Sequence, residues 1–450
     1  MLQTGRDPVN SSNRRKITGI ECHVLLDPNY DVDATSSAQD DIVVEIHSDD
    51  GFTGIGETDV NPWIARACIE APSTHTMGMG LADMLIGKDP LNVEGIWERL
   101  YVGSAMNGRR GAVINAIGAI DMALHDLRGK ILGKPCYQLL DAQNLEQLET
   151  GEPVSNGERR NCAVAPWNGE RRDGITPYAS LQPEVSGFDA YRDSLVAWAR
   201  DAQRRGFQAL KLECTLSGPY AHMGLREPYG RATEVISAVR DAVGSNIVIM
   251  VDVQYAFPDA DTCLQTISQW QEYDLFFVET PLWPDDLEGY AKLARSQPIP
   301  IAAGEWLTTR FEFLDLMDRG AVAIAQPDIG RVGGLTEARR VADLAKKRGR
   351  TVVPHLWNTG ISIAAAVHLA AATPHCPFIE FLPPELSESP LRKELLSEEH
   401  QLVDGVIPLP TRPGLGIELN RAALECFEEA AEREIRDRGN RAARVLGHES

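Results

Sequence analysis

The sequence predicts an α/β protein whose second half folds as a barrel. Between about residue 173 and residue 385, eight short apolar segments alternate with mostly helical stretches. Near-continuous apolar strands that alternate with helices are typical of a parallel sheet covered by helices. Eight such units over roughly 210 residues fit a (β/α)8 barrel better than an open sheet. The eight predicted strands read ITPYASL, FQALKLE, VIMVDV, LFFVET, IPIAAGE, AIAQPDI, TVVPHL and PFIEFL.

The first part of the chain predicts an antiparallel meander. Two segments, Ile17 to Leu26 and Asp41 to Ser48, have the composition of strands, and Phe52 to Glu57 returns after the turn Asp49-Asp50-Gly51. The glycines at 51, 54 and 56 do not have the G-x-G-x-x-G spacing of a phosphate loop. We therefore assign these glycines to turns and to close packing.

Helices are predicted for residues 60–140, and the segment from Ala112 to Gly133 has apolar residues at helical spacing with a glycine at its end. Residues 141–172 are polar and lack apolar periodicity, which predicts a linker or surface excursion. After about residue 385 the barrel repeat stops. A strand-like segment from Pro408 to Leu419 and a charged terminal helix are predicted to follow.

Composition and charge narrow the classes of function. The 450 residues are 43 % hydrophobic and 24 % charged, as in soluble globular proteins, and the formal net charge of −21 argues against nucleic acid or an anionic membrane surface as a partner. No apolar run approaches the roughly 20 residues of a membrane span, and the polar N-terminus lacks the apolar region of a signal peptide. The eight cysteines are scattered without close pairing, so we expect reduced thiols in a cytoplasmic protein.

Every predicted barrel strand from the second to the eighth ends in an ionisable residue. In such barrels the carboxyl ends of the strands and the loops that follow them form the active site. Solvation of strand ends alone would explain one or two acidic residues but not the whole series. The residues are Lys211, Glu213, Asp252, Glu279, Glu305, Asp328, His355 and Glu380.

Three of these carboxylates have the spacing of one strand-helix repeat. Asp252, Glu279 and Glu305 follow one another at intervals of 27 and 26 residues, so they would occupy equivalent positions on adjacent strands. Bare carboxylates so close together would repel each other and raise each other's pKa. A divalent cation removes that penalty, and an all-oxygen ligand set favours Mg²⁺ or Mn²⁺ over zinc.

Asp328 and His355 are also 27 residues apart, on the sixth and seventh predicted strands. An aspartate beside a histidine can accept its N–H, fix its tautomer and raise its basicity. His355 is therefore predicted to carry a proton rather than to bind the metal. Lys211 can pair with a substrate carboxylate or act as a second base, or it can form an ion pair with a metal-binding carboxylate.

These strand-end residues, together with the helix AIDMALHDLRGKILGKPCYQLL and the terminal PGLGIEL, resemble the mandelate racemase-like group of the enolase superfamily. The resemblance implies an N-terminal α+β capping domain over residues 1–140 and a modified TIM barrel, (β/α)7β, over residues 173–385. It further implies a C-terminal segment, residues 386–450, that returns to the cap and ends in a helix.

The resemblance also implies roles for the strand-end residues. Asp252, Glu279 and Glu305 would hold Mg²⁺, and Asp328 and His355 would form a base dyad. Glu380 would hydrogen-bond the developing enediolate, for which it would have to be protonated and its pKa raised. The substrate would be a small acid sugar, and the protein would be an even-numbered homo-oligomer.

The chain departs from the racemase pattern on the second strand. Racemases of this group carry Lys-x-Lys there, whereas this chain has Lys211-Leu212-Glu213. Without a second ammonium group, proton exchange on both faces of the substrate lacks a partner. We therefore favour an acid-sugar dehydratase, a hydro-lyase in which His355 takes the α-proton and water leaves to give a 2-keto-3-deoxy acid. Glu213 could accept hydroxyl hydrogen bonds, act as an acid or pair with Lys211.

Three alternatives stay open: a racemase or epimerase of a 2-hydroxy acid, a non-catalytic sensor that keeps the fold, and a barrel aldolase. Substrate specificity would come from the cap loops and from the loop after the second strand, Ser217 to Gly230. His222 in that loop could be a second acid or merely solvated. The candidate substrate contacts are Asn29, Tyr30, Trp63, His222 and Gln254.

Overall fold

The computed structural model describes residues 15–34, 36, 38–140 and 174–445, with side chains to residue 439. The linker predicted at 141–172 lies outside the described residues, as does Cys162. The seven other cysteines are free thiols. Among the described residues, none of the helices combines the length and the apolar character needed to cross a bilayer.

The N-terminal strands form the predicted meander. Strands β1 (Ile17–Leu26), β2 (Asp40–Ser48) and β3 (Thr53–Thr58) pair antiparallel in the order β1-β2-β3. Gly51, in the turn between β2 and β3, has a φ of 85°, a conformation that favours glycine. The helices of this region are α1 (Pro62–Glu70), α2 (Leu81–Leu85), α3 (Val93–Gly103), α4 (Ala112–Leu132) and α5 (Cys136–Leu140).

Helix α4 packs directly on strand β3. A Cβ added at Gly54 would lie 2.0 Å from the carbonyl oxygen of Ala123, and one added at Gly56 would lie 2.1 Å from that of Ala119. The glycines therefore let the helix approach the strand backbone, as the sequence predicted.

The barrel contains eight parallel strands in the order β11-β10-β9-β8-β7-β6-β5-β12, so the last strand pairs with the first. A short strand, β4 (Gly174–Ile175), precedes them. The barrel strands are β5 (Pro177–Leu181), β6 (Ala209–Glu213), β7 (Val248–Asp252), β8 (Leu275–Glu279), β9 (Ile301–Ala303), β10 (Ile324–Ala325), β11 (Thr351–Val352) and β12 (Ile379–Phe381).

Each of the seven connections between these strands contains helix, which confirms the (β/α)7β arrangement. The barrel helices are α6 (Phe188–Arg204), α7 (Arg231–Val243), α8 (Ala260–Ile267), α9 (Leu287–Ser296), α10 (Thr309–Asp318), α11 (Ile329–Val332), α12 (Gly334–Lys347) and α13 (Gly360–Ala371).

The C-terminal segment begins with α14 (Pro390–Glu394) and ends with α15 (Arg421–Val445). The strand predicted from Pro408 to Leu419 is wrong: only β13 (Ile407–Pro408) forms, and it pairs antiparallel with β4. Prolines at 408, 410 and 413 remove backbone donors, and Gly414 and Gly416 adopt φ values of 72° and 75° that break an extended chain.

A layer of buried apolar side chains closes the barrel below the strand ends. The layer takes one residue from each strand or from the position just after it, from β5 to β11. Side chains two positions further along each strand point the same way, toward the barrel mouth. The layer consists of Tyr178, Ala209, Met250, Phe277, Ala302, Ile324 and Val353.

Candidate active site

The alternation of side chains along the strands turns the predicted residues into the barrel. Lys211 and Glu213 follow Ala209 at steps of two, as Asp252 follows Met250 and Glu279 follows Phe277. The strand register places Glu213 beside Asp252 and Asp252 beside Glu279. All eight predicted strand-end residues are buried, none more than 5 % exposed.

Lys211 lies at the centre of a group of carboxylates. Its Nζ is 2.7 Å from Glu380 Oε1, 2.9 Å from Glu279 Oε1, 3.5 Å from Asp252 Oδ2 and 3.6 Å from Glu213 Oε1. Burial by itself would lower the pKa of Lys211, but Glu279 and Glu380 outweigh burial and the pKa is raised well above its usual value. The geometry therefore favours the ion-pair alternative over the role of a second base.

The three predicted metal ligands are buried carboxylates, and neutral groups as well as Lys211 hold two of them. Asp252 Oδ1 accepts hydrogen bonds from Thr280 Oγ1 at 2.8 Å and from the Gln254 backbone at 2.9 Å. Glu279 Oε2 accepts from the Gln326 amide at 2.6 Å. Burial raises the pKa of Glu279 and, together with the neighbouring carboxylates, outweighs the opposing effect of Lys211.

Glu305 completes this set. Burial raises the pKa of Glu305, partly opposed by His355. Ligand-type atoms of Glu279, Glu305 and His355 all lie within 4.8 Å of one another. Buried carboxylates crowded in this way fit a hard divalent cation, since the cation would relieve both their desolvation and their mutual repulsion.

Asp328 and His355 form a hydrogen-bonded pair. Asp328 caps helix α11 by accepting from the Arg331 backbone N–H at 3.1 Å, and its other oxygen lies 2.9 Å from His355 Nδ1. His355 Nε2 lies 3.2 Å from Glu305 Oε2. Burial would lower the pKa of His355, but Glu380, Asp328 and Glu305 outweigh burial and raise it. The imidazole is thus oriented by Asp328, with Nε2 directed at the predicted metal ligands.

Glu380 is paired with Lys211, and its donation of a hydrogen bond to an enediolate stays a prediction. Burial by itself would raise the pKa of Glu380, but Lys211 and then His355 outweigh burial and lower it. Its Oε2 accepts a hydrogen bond from the Leu356 N–H at 2.7 Å. Lys211 favours the ionised form of Glu380 through a contact that the sequence could not show.

Glu213 is placed at the edge of the same group. Ser180 Oγ donates to its Oε1 at 3.4 Å, and within the described part of the chain its buried Oε2 has no hydrogen-bond partner. Burial, and then Asp252, raise its pKa well above the usual range. Glu213 therefore has a spare oxygen at the barrel mouth.

The predicted substrate contacts lie in different surroundings. The solvated alternative for His222 is wrong: its ring is buried, with Nε2 2.7 Å from the Pro183 carbonyl and Nδ1 2.9 Å from the Gln182 amide. The reason is that the loop folds back, with the His222 N–H donating to the Thr215 carbonyl at 2.9 Å.

Gln254 is half-buried two residues after Asp252, and its φ of 37° lies in the left-handed region. Asn29 is exposed on the cap, whereas Tyr30 and Trp63 pack against the cap's apolar core. Substrate contact by these four residues stays a prediction.

The cap is fixed to the barrel beside the Asp328–His355 pair, through residues that sequence reasoning missed. Arg331 forms a buried ion pair with Asp59, which follows strand β3, and Arg331 Nε lies 2.8 Å from Asp59 Oδ1. Glu57 accepts a hydrogen bond from the Ser362 N–H at 2.7 Å. The Trp97 indole donates to the Gly333 carbonyl at 2.7 Å. The feature of the sequence that could have indicated this anchoring is the segment Asp328-Ile-Gly-Arg331, which places charged residues at a strand end.

Four aromatic residues cluster in the loops after strands β6 to β9, and only Tyr220 lies in a loop that the sequence predicted to set specificity. We call this cluster the aromatic wall. Its ring centroids lie between 4.2 and 6.3 Å apart. The wall consists of Tyr220, Tyr255, Trp283 and Trp306.

An α+β cap seated on a (β/α)7β barrel, with carboxylates, a lysine and a histidine at the strand ends, defines an enolase-type protein. Residues 23–141 match the family model for the mandelate racemase / muconate lactonizing enzyme N-terminal domain. Residues 194–423 match the model described as enolase C-terminal domain-like. The chain belongs to the mandelate racemase / muconate lactonizing enzyme family of the enolase superfamily.

Relatives of known name include dehydratases and cycloisomerases. The chain is 30 % identical to D-galactarolactone cycloisomerase of Agrobacterium fabrum, over 92 % of this chain and 98 % of the relative. It is 28 % identical to arabinonate dehydratase of Saccharolobus solfataricus, over 86 % of this chain and 90 % of that relative. The solved structure of 3,6-anhydro-D-galactonate cycloisomerase from Zobellia galactanivorans has a TM-score of 0.74 and 29 % identity, covering 92 % of this chain and 99 % of that one.

Proposed function

We propose that the protein is a Mg²⁺-dependent acid-sugar dehydratase. It removes the α-proton of a sugar-acid carboxylate to give an enediolate, and β-elimination of water then yields a 2-keto-3-deoxy acid. Asp252, Glu279 and Glu305 would hold the cation, which when bound would neutralise the substrate carboxylate and so acidify the α-carbon.

The observation that carries this proposal is the His355–Asp328 pair beside Glu305. Because Nδ1 of His355 donates to Asp328 at 2.9 Å, the lone pair of the neutral ring lies at Nε2, which is 3.2 Å from Glu305. A substrate carboxylate next to Glu305 would place its α-carbon within reach of Nε2. His355 would take the α-proton and return a proton to the departing hydroxyl.

Lys211 acts in this proposal as a fixed positive charge. Its ammonium lies 2.7 Å from Glu380 and 2.9 Å from Glu279, which holds it in place to stabilise negative charge on the substrate carboxyl group. Racemisation would need a base on the opposite face of the substrate. In the sequence, Glu213 stands where racemases of this group carry their second lysine, which supports a reaction that uses one face.

Cycloisomerisation of a ring-containing acid is a second candidate. Two of the relatives are named as cycloisomerases, and one of them is 30 % identical over 98 % of its length. If the leaving oxygen belonged to a ring, the same α-proton abstraction by His355 would open that ring instead of releasing water. The two reactions therefore differ in the substrate and not in the residues required.

A screen of acid sugars with Mg²⁺ tests the proposal. We expect at least one acid sugar to give a 2-keto acid. The product is detected by carbonyl derivatisation and by proton NMR in D2O. His355→Asn should abolish product formation, while the cap variant His47→Asn should not. Product from His355→Asn at the wild-type rate would refute the assigned base. Exchange of the α-proton for deuterium without loss of water would instead identify a racemase or epimerase.

A further inference from the structure

The aromatic wall is attached to the predicted metal site by the chain itself. Tyr255 comes three residues after Asp252, Trp283 four residues after Glu279, and Trp306 directly after Glu305. Each of these three strands thus supplies one carboxylate and one aromatic ring. Tyr220 adds a fourth ring from the loop after β6.

The rings of the wall are held against each other at the barrel mouth. Trp306 lies at the centre, with its ring centroid 4.2 Å from that of Tyr255, 5.4 Å from that of Tyr220 and 5.7 Å from that of Trp283. Tyr255 is buried and interacts with Glu305, so the base of the wall reaches the carboxylates. Tyr255 and Trp306 also line a small pocket.

The backbone beneath the wall is strained. Tyr255 has a φ of 60° and the preceding Gln254 a φ of 37°, in the left-handed region that side chains other than glycine rarely adopt. The Tyr255 N–H donates to the Thr280 carbonyl at 2.6 Å, which links the loops after β7 and β8. Such strain is concentrated at binding and catalytic sites, since the surrounding structure must hold it in place.

The outer rings of the wall are exposed. Trp283 is 47 % and Trp306 39 % accessible, although both are large apolar side chains packed against other rings. Exposed apolar surface beside an active site is typical of a ligand-binding surface. An open-chain polyol would set its hydroxyl groups against these apolar faces without hydrogen bonds, which is unfavourable. A sugar ring instead presents one face of C–H groups, which an indole can cover.

We propose that the substrate carries a ring, a cyclic sugar unit attached to its carboxylate end, and that this ring packs in the angle between the indoles of Trp283 and Trp306, whose planes are inclined at 79° to each other. The proposal rests on the proposed function, because it assumes that an acid sugar places its carboxylate at Asp252, Glu279 and Glu305. From there the chain of the substrate extends over Tyr255 to the outer indoles. The wall thereby selects a glycosylated or internally cyclised acid over an open-chain acid of the same headgroup.

Binding measurements on the Mg²⁺-loaded, full-length protein test this inference. The two probes are lactobionate, which is gluconate carrying a galactopyranosyl ring, and gluconate itself. Affinities are measured by calorimetry and by quenching of tryptophan fluorescence, in a His355→Asn background so that turnover does not interfere. We expect lactobionate to bind about tenfold more tightly than gluconate, equivalent to about 1.4 kcal/mol.

The variants are Trp283→Ala, Trp306→Ala, the conservative Trp306→Phe and the control Phe52→Ala. Phe52 lies on the cap hairpin and, like Trp306, is 39 % exposed. Each alanine variant of the wall should reduce the ratio of the two affinities about tenfold, Trp306→Phe should retain most of the ratio, and Phe52→Ala should leave it unchanged. Equal affinity for the two probes in the protein with an unaltered aromatic wall would overturn the inference. An unchanged affinity ratio in the alanine variants would also overturn the inference. This holds as well if the variants change the oligomeric state of the protein but not the ratio.

The outcome is separable from that of the proposed function. Suppose that the ring preference depends on the aromatic wall but that the protein with native His355 forms no 2-keto acid. This result would support the inference and reject the dehydratase. Dehydration of open-chain acids with no ring preference, and with the same kcat/KM in Trp306→Ala, would reject the inference and leave the dehydratase standing.

Discussion

The two sides of the barrel mouth are built in opposite ways. On the side of strands β10 and β11, Asp328 and His355 are buried and covered by the cap, to which Arg331 is tied through Asp59. On the side of strands β7 to β9, Trp283 and Trp306 stand half exposed. The first side orients groups that move a proton, for which small displacements matter. The second side presents apolar surface, which is suited to choosing a ligand.

Burial and exposure thus separate two tasks within one site. Replacing a residue on the covered side should damage the chemistry or the fold. Replacing a residue of the aromatic wall should change which ligand binds and leave the fold nearly intact.

The largest effect is expected at the covered side, from Asp328→Asn. Asparagine can still cap α11, so the fold should persist. Its amide, however, cannot serve as the charged acceptor that orients His355 Nδ1–H. We expect kcat to fall by roughly 10²- to 10⁴-fold, measured as the rate of 2-keto acid formation, with an unchanged unfolding midpoint. A decrease smaller than about fivefold would mean that Asp328 does not orient the base.

The next effect is expected in stability, from Arg331→Met. This substitution leaves the buried Asp59 carboxylate without its ion-pair partner, and breaking a buried pair in this way is destabilising by about 3–5 kcal/mol. Urea unfolding monitored by circular dichroism measures the change. The matched control is Arg66→Met, which removes an exposed pair with Glu70 and should alter stability by no more than about 0.5 kcal/mol. Similar losses in the two variants would contradict the anchoring of the cap through Arg331.

A pair of tryptophan variants sharpens the contrast between covered and exposed aromatic residues. Trp97 is 1 % exposed and its indole donates to the Gly333 carbonyl, so Trp97→Ala should lower the free energy of unfolding by about 3–5 kcal/mol. Trp306→Ala, at a position that is 39 % exposed, should lower it by less than about 1 kcal/mol. If both variants lost the same stability, the aromatic wall would be part of the core rather than a binding surface.

The smallest effect is expected where α15 docks on the cap sheet. Burial by itself would raise the pKa of Glu45, but its hydrogen bonds with Arg421 and His23 outweigh burial and lower the pKa to about 2. A lowered folded-state pKa stabilises the protein above the usual pKa of about 4.5, and that stability is lost as the pH falls toward about 2. Arg421 is largely exposed, so water screens the pair and the contribution should be about 1 kcal/mol or less.

Glu45→Gln tests this docking. Urea unfolding at a series of pH values should show a difference from the wild type at pH 6 that shrinks as the pH falls below about 4.5. A difference that stays constant over this range would show that the charge of Glu45 does not contribute.

The barrel, the meander and the strand-end residues could be predicted from the sequence, because these features depend on local periodicity. The two-residue alternation along a strand turns Lys211, Asp252 and Glu279 into the barrel once the apolar strand is recognised. The repeat of one strand and one helix sets the spacing between Asp252 and Glu279. Both signals can be read within a few dozen residues.

Features that depend on contacts between distant parts of the chain could not be predicted and are seen only in the folded protein. Arg331 and Asp59 are 272 residues apart, and no local pattern joins them. The lowered pKa of Glu380 depends on Lys211, which is 169 positions earlier in the chain and yet lies 2.7 Å away. His222 is polar and belongs to a loop, so its burial follows only from the return of that loop onto the barrel. The aromatic wall assembles from four separate loops, because closing the barrel brings the ends of its strands to one mouth.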